Sequence, residues 1–153
     1  MRKYKTARCI LYREGRYLLA DHTPQHRRYT QHRWRKRSQR KSGSKTADSI
    51  RWGLPGGHVE WREDPLEAAR REVFEELNIH LADLIAVGDY VYKQRYHAVY
   101  AAHSEYTEFD LDFSELAEVR WFTRAEIAHL ESFDQLHAGY ELDAVTALEA
   151  LQL

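Results

Sequence analysis

The sequence predicts an α/β domain in which helices pack against a mixed β-sheet. Stretches rich in alternating β-type residues precede and follow one strongly amphipathic helix, and two further helical patterns come after the last predicted strand. A chain of 153 residues with 43% hydrophobic and 12% aromatic residues is long enough to bury one core. We therefore expect a single domain over residues 1–153, with a basic loop inserted at about 22–49.

The first part of the chain predicts a hairpin. Residues 4–12 alternate between two faces, and residues 17–21 form a short partner strand after a polar turn that contains Gly15. Cys9 is the only cysteine and lies in an apolar run, which indicates a small buried side chain and excludes an internal disulfide. The pattern of residues 50–60 then predicts two short extended segments on either side of a Leu-Pro-Gly turn.

A helix is predicted to begin after Asp64. Asp64 is suited to cap it, and Pro65 fits the first helical position, where its missing N–H removes a donor that would otherwise lack a partner. Apolar residues follow at spacings of three and four, at Leu66, Ala69, Val73 and Leu77. At about 100° per residue, three carboxylates lie on a different and exposed arc of the same helix: Glu72, Glu75 and Glu76.

This acidic arc favours a bound cation. Like charges at such spacings destabilise a helix by roughly 0.2–0.5 kcal/mol per pair, so a ligand that offsets the repulsion is expected. Mg²⁺ prefers oxygen ligands and is usually held by one or two carboxylates together with substrate phosphates. The alternative is a solvated acidic face, which is the more common explanation when such a cluster stands alone.

The residues before the helix favour a bound metal ion over a solvated acidic face. The chain enters through GLPGG at residues 53–57; five residues separate Gly57 from Glu63, and seven more precede Arg71. Gly57 to Ile79 resembles the Nudix box, whose pattern is Gly, five residues, Glu, seven residues, then Arg-Glu-apolar-any-Glu-Glu-any-Gly-apolar. Asn78 stands in place of the usual Gly, and Asn also tolerates the left-handed conformation that ends a helix.

The resemblance implies the Nudix fold, an α/β/α sandwich with a mixed β-sheet. It also implies a Mg²⁺-dependent pyrophosphohydrolase that cleaves a phosphoanhydride bond in a nucleotide or nucleoside diphosphate derivative, with Mn²⁺ as an alternative metal. The implied metal ligands are Glu72, Glu76 and Glu75, and the implied catalytic residues are Glu75, Glu72, Arg71 and Glu63. Gly56 and Gly57 are expected to bind substrate by letting the backbone approach its phosphates.

The second half of the chain completes the predicted sheet. Residues 84–92 and 96–103 form an antiparallel pair, and residues 119–122 form the last strand. Between them lies an acidic loop, from which the family often recruits a further carboxylate, and Glu115 and Glu118 are the candidates by position. Two helices follow: a short one begins at a Thr123–Glu126 capping box and runs through Leu130, and a final one covers about 140–151.

Residues 26–45 contain nine Lys or Arg and no acid, so the rest of the chain carries 14 basic and 24 acidic residues. Three explanations stay open: a solvated linker, a lid that closes over a polyphosphate, or a strip that binds an RNA backbone. Trp34 and Arg35 are the candidate substrate-binding residues of this segment. The nine histidines lack the paired spacing of a zinc site, and we interpret them as ordinary surface or loop residues.

Two classes of function remain in competition. The first is the hydrolase, for which nucleoside triphosphates, dinucleoside polyphosphates, ADP-ribose and 5′-triphosphorylated RNA are all candidate substrates. The second is a Nudix-fold module that binds RNA or another polyanion without hydrolysis. No apolar run approaches the ~20 residues that cross a bilayer, and the charged N-terminus is unlike a secretory signal, so we expect a cytoplasmic protein without a membrane partner. The sequence leaves the oligomeric state open.

Overall fold

The computed structural model describes residues 2–22 and 50–152. In this part of the chain, seven strands form one sheet and three helices pack against it. The strands are β1 (Tyr4–Arg13), β2 (Arg16–Asp21), β3 (Trp52–Gly53), β4 (Gly56–His58), β5 (Ile85–Tyr92), β6 (Arg95–His103) and β7 (Glu118–Phe122). The helices are α1 (Pro65–Leu77), α2 (Arg124–Ser132) and α3 (Glu141–Leu151).

Strand β1 lies at the centre of the sheet. Its residue Ala7 aligns with Ala98 of β6 in the parallel sense on one side and with Gly57 of β4 in the antiparallel sense on the other. The order is β3-β2-β1-β6-β5, with β4 added beside β1 and β7 beside β2. The sheet is therefore mixed, and both predicted antiparallel pairs, β1–β2 and β5–β6, are confirmed.

The two faces of the sheet carry separate cores. Because successive side chains of a strand point to opposite faces, Cys9 packs with Val73 and Leu77 of α1, whereas Ile10 packs with the cluster that includes Ile127 of α2 and Leu148 of α3. Both cores are almost completely shielded from solvent. The result is the expected three-layer arrangement, in which α1 covers one face and α2 and α3 cover the other.

Helix α1 begins and ends as its sequence predicts. The Asp64 side chain accepts a hydrogen bond from the Leu66 N–H at 3.1 Å, and Pro65 occupies the first turn. At the other end Asn78 adopts φ 57° and ψ 39°, and its N–H donates to the Phe74 carbonyl at 2.8 Å. The predicted capping box is also present at the start of α2. None of the helices within residues 2–22 and 50–152 has both the length and the apolar character needed to span a membrane.

The left-handed cap predicts opposite effects for two substitutions of Asn78. Asn78→Gly is expected to be neutral or mildly stabilising, because Gly adopts a positive φ without steric penalty. Asn78→Val should lower the free energy of unfolding by ~1 kcal/mol or more, because a β-branched side chain is strained there. Denaturant titration of both variants tests this, and equal midpoints for the two would contradict the cap.

Candidate active site

The three carboxylates of α1 lie in different environments. Glu76 is 2% exposed, whereas the Glu72 side chain is 12% exposed and that of Glu75 is 42% exposed. The prediction that Glu76 lies on an exposed arc is therefore wrong. Strand β4 covers this residue, and the Gly56 N–H donates to Glu76 Oε1 at 2.9 Å. A carboxylate buried in this way is fixed in position by the sheet.

Arg71 holds the other acids together. Its guanidinium donates to both oxygens of Glu63, at 2.8 and 3.0 Å, to Glu72 at 3.1 Å and to Glu75 at 3.3 Å. It also donates to the His58 carbonyl at 3.0 Å, which ties the network to the end of β4. The hydrogen bond from Arg71 lowers the pKa of Glu63. Glu63 therefore stays ionised and anchors Arg71, while Arg71 orients the helix carboxylates.

Among the acids of this network, Glu72 has a pKa well above its ordinary value. Burial raises its pKa to about 7, and the negative charge of Glu76 adds to the rise, while Arg71 opposes it. A neighbouring negative charge disfavours the ionised form of a carboxylate that is shielded from water, as Glu72 is. A cation placed between Glu72 and Glu76 would remove that penalty.

The two glycines of β4 are required for different reasons. Gly56 has φ 141°, and a Cβ there would lie 2.3 Å from the Ala7 carbonyl oxygen of β1. A Cβ on Gly57 would lie 2.5 Å from the Glu72 carboxylate. Gly56 thus lets β4 pair closely with β1, and Gly57 keeps open the space that the Glu72 carboxylate uses.

His22 belongs to the site, although the sequence interpretation treated it as an ordinary loop residue. Its Nδ1 lies 3.4 Å from Glu76 Oε2. Its Nε2 lies 2.8 Å from the Leu54 carbonyl, which can only accept, so Nε2 carries the proton of that hydrogen bond. Away from this contact, His97 is buried, and its Nδ1 forms a hydrogen bond with the Thr6 hydroxyl at 2.6 Å. The signal for His22 was its place directly after the buried strand β2.

The candidate carboxylates outside the box are separated by the fold. Glu115 lines a shallow groove together with Glu75 and Asn78 at the C-terminal end of α1. Glu118 instead starts β7, where it pairs with Asp21 in the sheet and forms an ion pair with Arg120. Of the two, Glu115 lies on the side of Glu75.

Two predicted substrate-binding residues, Trp34 and Arg35, lie outside the described residues, as does the whole basic segment 26–45.

The donor set fits a hard divalent cation whose shell the substrate completes. In the described ranges no three His, Cys, Asp or Glu side chains converge as a preformed metal cluster. Arg71 donates to Glu63, to Glu75 and to one oxygen of Glu72. Glu72 and Glu76 are the two most shielded carboxylates of α1. One or two carboxylates with substrate phosphates and waters is the usual set for Mg²⁺. Glu72 and Glu76 would hold the ion.

The raised pKa of Glu72 predicts a pH dependence of stability without metal. The folded protein keeps a proton on Glu72 up to about pH 7, whereas the unfolded chain releases it near the ordinary value of 4.5. Because the folded state binds more protons between these values, the free energy of unfolding should fall as pH rises through them. In EDTA we expect the free energy of unfolding to decrease by on the order of 1 kcal/mol as pH rises. This decrease should be absent from Glu72→Gln, and added Mg²⁺ should restore the lost stability of the parent. Urea titrations of both proteins at pH 5.5 and 8 measure it, and parallel pH profiles would contradict it.

Fold and site together define an α/β/α domain that presents a buried pair of carboxylates beside a Gly-Gly strand. The chain belongs to the NUDIX family, since the NUDIX domain profile matches residues 3–141. An RNA pyrophosphohydrolase of Bartonella henselae is 48% identical over 40 residues, which is 26% of this chain and 23% of that protein. The chain thus matches less than a quarter of the length of that curated relative.

Solved structures confirm the fold. A NUDIX hydrolase from Nitrosomonas europaea superposes with a TM-score of 0.64 at 19% identity, over 97% of this chain and 90% of that one. The NUDIX domain of Shewanella oneidensis NrtR, crystallised with ADP ribose, gives a TM-score of 0.65 at 13% identity, over 100% of this chain and 90% of that one. At these identities the likeness shows the fold alone.

Proposed function

We propose that this chain is a Mg²⁺-dependent pyrophosphohydrolase that cleaves a phosphoanhydride bond in a nucleotide or nucleoside diphosphate derivative. The observation that carries the proposal is the pair Glu72 and Glu76, both shielded from water, with the pKa of Glu72 raised to about 7. A carboxylate whose pKa is raised in this way, as that of Glu72 is, is typical of functional sites. Burying two adjacent acids destabilises a fold to the extent that hydrogen bonds and opposite charges do not compensate for them, and a bound cation adds to that compensation.

Each residue of the network has a proposed role. Glu72 and Glu76 hold the metal, which when bound neutralises diphosphate charge and lowers the pKa of a water molecule. Glu75, the most exposed acid of the three, either adds a third ligand or accepts the proton of the attacking water. Arg71 keeps Glu75 directed at the site, and Glu63 keeps Arg71 in place.

The competing function is binding of RNA or another polyanion without hydrolysis. The complete acidic set argues against it, because a module that only binds anions gains nothing from four carboxylates in one network. The names of relatives also favour hydrolysis, since they include an RNA pyrophosphohydrolase and NUDIX hydrolases. Nucleoside triphosphates, dinucleoside polyphosphates, ADP-ribose and 5′-triphosphorylated RNA form the substrate panel to be compared.

The test is product release from this panel in Mg²⁺, in Mn²⁺ and in EDTA. We expect hydrolysis of at least one substrate in Mg²⁺ or Mn²⁺ and none in EDTA. Glu76→Gln serves as the inactive comparison and excludes a contaminating hydrolase. Absence of turnover on the whole panel, combined with metal-independent RNA binding, would instead establish the binding module.

A further inference from the structure

A basic groove lies at the end of the sheet where β1 begins. It has a volume of about 750 Å³ and is formed by the start of β1, the residues that end β4, and the turn between β5 and β6. Its lining includes Arg2, Lys3, Lys5, His58, Arg95 and Tyr96. Among residues 2–22 and 50–152, neither Asp nor Glu lines it. We call this feature the β1 groove.

The cations of the β1 groove are largely uncompensated. Arg2 pairs with Asp89 at 2.8 Å, but across residues 2–22 and 50–152 no carboxylate pairs with Lys3, Lys5 or Arg95. The charge of Lys5 also acts on a neighbouring side chain. The pKa of His58 is lowered first by burial and then by the charge of Lys5. Several like charges around one concave surface attract anions.

An aromatic platform stands beside these charges. Tyr96 is 38% exposed, and the Arg2 guanidinium lies over its ring at 4.2 Å from the centroid. Asp89 fixes Arg2 in this stack and accepts a further hydrogen bond from Tyr4 at 2.8 Å. Flat guanidinium and phenol groups next to cations are the combination on which single-stranded nucleic acids stack their bases.

The β1 groove is joined to the carboxylate site through β4. His58 lines the groove, and its carbonyl accepts from Arg71 at 3.0 Å. The preceding residue, Gly57, faces the Glu72 carboxylate. The Val59 N–H also donates to the Lys5 carbonyl at 3.1 Å, which joins this wall to β1. Strand β4 thus borders both the β1 groove and the carboxylate site.

We propose that the β1 groove binds the ribose-phosphate backbone of a single-stranded RNA whose 5′ phosphates lie at Glu72 and Glu76. The placement of the 5′ end rests on the proposed function. An RNA strand matches the groove because it offers regularly spaced anions together with base faces that stack. An acidic peptide would supply charge without planar groups, and it would have no reason to continue into a phosphate site.

The first test measures binding without turnover. A short 5′-hydroxyl oligoribonucleotide with a 3′ fluorophore is titrated in EDTA at two salt concentrations, and anisotropy gives Kd. The variant K3Q/K5Q/R95Q is compared with the charge-matched control R16Q/R120Q/R124Q, whose arginines lie on β2, β7 and α2. We expect the groove variant to lose about tenfold in affinity or more and its salt slope to fall by roughly 2, while the control stays near the parent. Equal losses in both variants, or polyglutamate competing as well as RNA, would overturn the proposal.

The second test uses hydrolysis and separates the two proposals. For the groove variant we expect KM for 5′-triphosphorylated RNA to rise at least about tenfold more than KM for a nucleoside triphosphate. An equal rise for both substrates would overturn the groove as a site for the RNA chain. If the parent hydrolyses neither these two substrates nor the rest of the panel, the proposed function fails, and the binding titration in EDTA still decides whether the groove holds RNA.

Discussion

Glu76→Gln is expected to reduce hydrolysis about 100-fold or more while the fold is retained. A bound metal supplies several kcal/mol of charge stabilisation, and each 1.4 kcal/mol corresponds to a factor of about ten in rate. Glutamine has nearly the volume of glutamate and can still accept from the Gly56 N–H, which lies 2.9 Å from Glu76 Oε1. The substitution therefore removes one charge without disturbing β4. Steady-state kinetics over a range of Mg²⁺ concentrations, with thermal unfolding in parallel, measure both effects.

The matched control is Glu67→Gln on the same helix. Glu67 is mostly exposed and pairs only loosely with Arg70, at 3.7 Å, so its loss should leave rate and metal dependence unchanged. An activity of Glu76→Gln within a factor of two of the parent at saturating Mg²⁺ would refute the assignment of Glu76 as a metal ligand. A defect shared by both variants would point to the helix instead of the site.

Gly56→Ala, directly before the box, should destabilise the fold strongly. The new Cβ would lie 2.3 Å from the Ala7 carbonyl oxygen and 2.7 Å from Arg8 Cα, and φ of 141° is strained for any L side chain. Both neighbours are backbone of the central strand, which cannot move aside. We expect the free energy of unfolding to fall by on the order of 3 kcal/mol. Denaturant titration gives the value directly.

Gly57→Ala, one residue further on, separates the stability effect from the catalytic one. Its Cβ meets the end of the flexible Glu72 side chain, at 2.5 Å, and that side chain can move. The fold should therefore survive with a loss of about 1 kcal/mol or less, while displacement of Glu72 lowers kcat. Equal losses of stability in the two alanine variants would show that the backbone contact at Gly56 does not cause the larger destabilisation expected there.

Local features of the fold were predictable from the sequence. Helix α1 follows from the cap at Asp64, the proline after it and the left-handed Asn78, all within one short stretch. The capping box at Thr123 likewise fixes the start of α2. Hairpins are similarly local, and both were predicted. In each case the residues that determine the structure are close together in the chain.

Features that depend on distant residues escaped prediction. Helical periodicity alone assigned Glu76 to the exposed arc, because it contains no information about β4, which arrives from 20 residues earlier to cover it. The contact of His22 with Glu76 joins residues further apart still. Neither position differs in type or spacing from an ordinary surface residue. Burial of a charged side chain is decided by the sheet that packs on it.

The parallel pairing of β1 with β6 affects how the chain folds as it is synthesised. Thr6 and His97, hydrogen bonded across this pair, are 91 residues apart. At roughly 5–20 residues per second, β1 leaves the ribosome roughly 5–20 s before its partner exists. An unpaired strand edge invites association with other chains. The nine cations of residues 26–45 are translated during this interval, and like charges on neighbouring chains oppose their association.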